Sequence, residues 1–72
     1  MDTIEDTKSL LRRALGGDSL TLDREYYSLH DLTQIALALQ PGAQLAIRRA
    51  DLMTPIERAS IATVGRGRII FI

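Results

Sequence analysis

The residue types that could carry catalysis are few and stand close together. Ser28, His30 and Asp31 supply a nucleophile, a base and a carboxylate, and His30 is the only histidine in the chain. A hydrolytic relay needs such groups to converge, nucleophile on base and base on orienting acid. These three fall in one short stretch, "SLHD", where Ser28 and Asp31 have the spacing of a helix capping box, so Ser28 is assigned to the cap. One histidine and no cysteine leave no ligand set for a transition metal, and the carboxylates lack the spacing of a calcium loop. "GRGR" at 65–68 has the glycines of a phosphate loop but follows a helical stretch and precedes a strand. A phosphate loop needs the reverse order, so that a helix N-terminus meets the anion. Gly65 and Gly67 therefore read as helix terminators. The expectation is a non-enzymatic protein without cofactor or metal.

The arginines are the remaining chemical groups. Arg48 and Arg49 follow the second strand and Arg66 and Arg68 precede the third, so the pairs fall at opposite rims, roughly 20 Å apart along the strands. Asp23 should neighbour Arg48, and Arg24 should neighbour Arg49. That like-charge pair either splays into water or holds an anion, which makes Arg24, Arg48 and Arg49 candidate contacts for an acidic partner. No aromatic residues interleave with them to stack bases, and the nine basic residues are matched by nine acidic ones, which argues against nucleic acid and anionic membranes.

These groups must be positioned by short elements. "DTIEDTKSLLRRALGG" predicts a helix, with Ile4, Leu11, Ala14 and Leu15 at helical spacing, Glu5 and Asp6 early, Arg12 and Arg13 late, and Gly16-Gly17 ending it. "SLTLD" alternates as a strand. "LHDLTQIALALQ" is a second helix closed by Pro41-Gly42, and "AQLAIR" a second strand. "TPIE" is a strong helix start, with Thr54 as N-cap, Pro55 at the first helical position and Glu57 reaching back. That helix runs to Gly65, and "RIIFI" is the third strand.

The helix–strand order repeats three times, and the repeat has a register. Gly17, Gly42 and Gly67 are spaced by 25 residues. At the same offset Leu11 matches Ala36 and Ile61, Ala14 matches Leu39 and Val64, Leu20 matches Leu45 and Ile70, and Leu22 matches Ile47 and Ile72. Tyr27 and Leu52 also match. The predicted fold is α/β, one domain of three units (approximately 1–23, 24–48 and 49–72), forming a short solenoid with a three-stranded parallel sheet. The "LTL" and "LAI" strands, each followed five residues later by Tyr27 or Leu52, resemble the leucine-rich repeat. The chain has none of the asparagines that usually turn the loop after that strand. The resemblance implies a protein-binding surface.

In this register Leu20, Leu22, Leu45, Ile47, Ile70 and Ile72 face the helices, and the outward columns read Ser19, Gln44, Ile69 and Thr21, Ala46, Phe71. Two large apolar residues on the open face forgo about 1.5–3 kcal/mol each unless something covers them. The chain shows no polar cap, beginning in phase with a helix and stopping after a strand. The expectation is self-association through Ile69, Phe71 and Ile72, with Thr21 and Ala46 beside them, either head-to-tail or as a two-fold sheet pair. Zero net charge removes the repulsion that would oppose it. A second reading is an adaptor or inhibitor that accepts another protein's extended segment at the sheet edge; a third is an arginine-rimmed regulator of nucleic acid. With 46% hydrophobic residues, no cysteine, an acidic N-terminus and no long apolar run, the chain reads as globular and cytoplasmic.

Overall fold

Each helix begins at a residue whose side chain can stand in for a missing backbone acceptor. The computed structural model describes residues 6–72; Ile4 and Glu5 of the first predicted helix lie outside the described residues. Helix α1 (Thr7–Leu15) opens on Asp6, which accepts from the Ser9 amide at 2.8 Å. This contact holds the Asp6 carboxyl below its ordinary range. Helix α2 (Leu29–Ala38) opens on Ser28, which accepts from the Asp31 amide at 3.1 Å. Helix α3 (Pro55–Gly65) has the full capping box, Thr54 accepting from the Glu57 amide and Glu57 accepting from that of Thr54.

Strands β1 (Leu20–Asp23), β2 (Leu45–Arg48) and β3 (Ile69–Phe71) form an open parallel sheet in the order β1-β2-β3. The protein is α/β, as the helix–strand alternation predicts. Gly17, Gly42 and Gly67 each lead toward a strand with positive φ, at 97°, 89° and 82°. A Cβ on any of them would meet nothing within 4 Å, so the dihedral and not the space calls for glycine.

The core lies between the sheet and the helices. Leu20, Leu22, Leu45 and Ile47 point into it from β1 and β2, and Leu10, Ala14, Leu32, Ile35, Ala36 and Ile61 meet them from the helices, with Leu39 just past the end of α2. Burial is complete at the centre, with Leu32, Ile35, Leu45, Ile47 and Ile61 all at 0% exposure.

The third strand corrects the sequence register. Leu45 pairs with Ile69, Ala46 with Ile70 and Ile47 with Phe71. Ile69 and Phe71, expected on the open face, are half-buried against the core, whereas Ile70 and Ile72, expected inside, are exposed. The cause is a shorter turn: β1 and β2 begin three residues after Gly17 and Gly42, but β3 begins two after Gly67. A one-residue slip exchanges the faces of a strand. Gly65 admits the new arrangement, because a Cβ there would overlap Cγ1 and Cδ1 of Ile69.

The loop after β2 departs in the other direction. Leu52, expected to match buried Tyr27, is 54% exposed, and Met53 is buried in its place. The extra residue is absorbed by Arg49 in the left-handed region, φ 57°, and by a 3-10 turn, Ala50–Leu52.

Candidate interaction surface

Among the described residues, the backbone of the outer strands defines two edges that no further strand pairs. In β1 the Leu20 amide donates to the Gln44 carbonyl at 2.9 Å, and the Arg24 amide, just past the strand, to the Arg48 carbonyl at 3.0 Å. Backbone polar groups alternate in direction along a strand, so Thr21 and Asp23 turn theirs away from β2. At the other side the Arg68 carbonyl accepts from the Leu45 amide and the Ile72 amide donates to the Ile47 carbonyl, both at 2.9 Å. Ile69 and Phe71 therefore turn their backbone groups to the open edge of β3. Sheet edges are usually blunted by lysine, proline or a bulge, and β3 has none of these.

The side chains of β3 match this incompleteness. Ile70 is 42% exposed and Ile72 66%, on the sheet face away from the helices, while Ile69 and Phe71 are covered only in part on the helix side. On the same open face Ala46 lies beside Ile70 and Thr21 beside Ala46, half-buried and exposed respectively. Of the expected contact residues, Thr21, Ala46 and Ile72 thus share a face, and Ile69 and Phe71 do not. Ile70 belongs there and escaped the sequence reading.

The arginine rim is closed by the chain's own acids. Arg49 donates to the Asp23 carboxylate at 3.0 Å and lies 3.0 Å from that of Glu25; these two charges, Asp23 first, hold its guanidinium above the ordinary arginine range. Arg24 turns the other way, donating to the Tyr27 carbonyl at 3.1 Å with Glu57 at 3.9 Å, while its Nε has no hydrogen-bond partner among the described residues. The expected like-charge neighbours each pair with carboxylates of the chain, Arg49 with Asp23 and Glu25 and Arg24 with Glu57. Arg48 is Cα partner to Asp23 and exposed, but the Asp23 carboxylate goes to Arg49.

Arg49 combines a backbone conformation that favours glycine with two exposed ion pairs, and variants separate the two effects. Arg49→Ala keeps the backbone cost and loses the pairs; Arg49→Gly loses both. The glycine variant is expected to melt at a higher temperature than the alanine variant. The reverse order in thermal unfolding by circular dichroism would mean that the left-handed conformation is not the dominant cost.

The remaining chemical groups stay apart. His30 is exposed on α2, next to a Ser28 hydroxyl engaged in its cap. Among the described residues no cluster of three histidine, cysteine or acidic side chains could hold a metal, and no helix is long and apolar enough to cross a membrane. Arg66 caps α3 in the left-handed region, and Arg68 reaches the Leu39 carbonyl at 3.5 Å, so "GRGR" is a helix end tied back to α2. Comparison of the chain with models of protein families, with curated proteins and with solved structures gives no match.

Proposed function

We propose that the chain is a non-enzymatic, self-associating module that works through the open edge of β3. The observation that carries this reading is the state of that strand: Ile69, Ile70, Phe71 and Ile72 are all large and apolar, and none is fully covered. An unpaired apolar edge is a template for another strand, and among the described residues β1 offers an unpaired edge of the same polarity on the opposite side of the sheet. The proposal includes solenoid character for the three helix–strand units, supported by pairing offsets of 25 and then 24 residues and by the three positive-φ glycines. It also includes residence in the cytoplasm, supported by a chain without cysteine.

Light scattering coupled to size exclusion, at two protein concentrations, tests it. The native chain is expected to exceed its 8.0 kDa monomer mass increasingly with concentration. Ile70→Asp places a charge on an exposed position of the edge strand and is expected to return the protein to a folded monomer. A native chain that runs as a monomer at both concentrations would overturn self-association. It would favour the second reading, in which the β3 edge takes an extended segment of another protein.

A further inference from the structure

We infer that β3 of one copy pairs in parallel with β1 of the next, with Ile69 opposite Leu20 and Phe71 opposite Leu22 of the second copy. The inference rests on the self-association reading and specifies its joint. Within the chain, Leu20 sits opposite Leu45 and Leu45 opposite Ile69, all three pointing toward the helices. In each of these pairs the first residue turns its backbone groups to the neighbouring strand and the second turns them onward. Ile69 and Phe71 turn theirs onward past the last strand of the sheet, to no strand among the described residues. Continuing the same rule, the Phe71 amide donates to the Thr21 carbonyl of the second copy, and the Phe71 carbonyl accepts from its Asp23 amide. The side chains agree, since Ile69 and Phe71 fall beside Leu20 and Leu22 on the helix side. A one-residue slip would set them beside Thr21 and Asp23 instead.

Two sheet edges of matching polarity and register, one on β3 and one on β1, select a second copy as the occupant. The apolar side chains of β2 on the helix side are fully buried. Of the half-buried apolar residues packed on the core, Leu11 lies on α1, Leu29 and Ala38 on α2, Val64 on α3, and Ile69 and Phe71 on β3; among the strands, therefore, only β3 has half-buried residues on the helix side, while Leu20 and Leu22 of β1 are buried. One head-to-tail joint uses both edges at once and lays α3 beside the next α1, repeating the α1–α2 and α2–α3 contacts already in the chain. A foreign strand, or a β3–β3 pair, leaves the β1 edge open. The joint is heterologous, so it propagates until it closes a ring or runs on as a filament.

The absence of cysteine makes the test clean. Ile70 would lie opposite Thr21 of the next copy, on the exposed face, so a chain carrying Thr21→Cys and Ile70→Cys is oxidised at a concentration where the native chain associates. Within one chain the two sites are two strand spacings apart, about 10 Å, beyond the roughly 7 Å Cα limit for a disulfide. The expected result is a ladder of dimer, trimer and higher species that collapses on reduction, with neither single variant cross-linking. Dimers from Ile70→Cys alone would mean a two-fold β3–β3 joint and overturn the inference. Association by light scattering with no cross-link in the double variant would overturn it too, leaving self-association standing with its joint elsewhere. A double variant and a native chain that are both monomeric would remove the joint together with the reading beneath it.

Discussion

Leu45→Ala is expected to cost about 2–5 kcal/mol of folding stability, the range for truncating a fully buried leucine. Leu45 occupies the middle strand, paired on one side with Leu20 and on the other with Ile69, and is 0% exposed. Both flanking strands hold their positions through it, so the cavity cannot collapse by moving one element alone. A domain of 72 residues has roughly 4–11 kcal/mol to lose, at about 0.05–0.15 kcal/mol per residue. The substitution therefore removes a large share of the total. Urea denaturation is the measurement: the midpoint should fall with the slope unchanged. Leu37→Ala, at an α2 position 62% exposed, should stay within about 0.5 kcal/mol of the native chain. Equal effects at the two sites would contradict the layer arrangement.

Phe71→Asp is expected to be nearly as damaging, by about 2 kcal/mol or more, because it loses apolar burial and sets a carboxylate against the core. Phe71 pairs with Ile47 and shares its facing, packed on the helix side. Its neighbour in sequence behaves oppositely. Ile70→Asp, on the open face, should leave the denaturation midpoint of the monomer nearly in place while dissolving the assembly. The pair of variants reads the register directly. If Ile70→Asp unfolds the protein and Phe71→Asp does not, the third strand is shifted by one residue from the pairing described.

That single residue marks where the sequence stopped being legible. "LTLD" and "LAIR" alternate an apolar residue with a small or polar one, so their faces follow from period two alone, and the structure bears them out. "IIF" has no alternation, and its faces had to be borrowed from the glycine spacing. The glycine spacing fixes where the chain turns, not how many residues follow before the strand begins. The informative residue was Gly65, whose missing side chain makes room for Ile69. The helix starts were readable because Ser28, Thr54 and Pro55 act through contacts a few residues long. The pairing of Arg49 with Asp23 and Glu25 was not, since it depends on a left-handed residue that no arginine announces. The open β1 and β3 edges followed from the strand count, but the exposure of Ile70 depended on the same slip.

The sequential strand order bears on how quickly the chain can find its structure. Each parallel pairing closes a crossover of similar length, joining positions 25 or 24 residues apart, and β1 and β3 are not hydrogen-bonded neighbours. The closure entropy grows only with the logarithm of the loop, so the two closures cost nearly the same. Neither strand pairing requires the chain ends to meet first. Structure can begin at either crossover and extend through β2 to the other, one loop at a time, which keeps the search local in a topology that is otherwise among the slow ones.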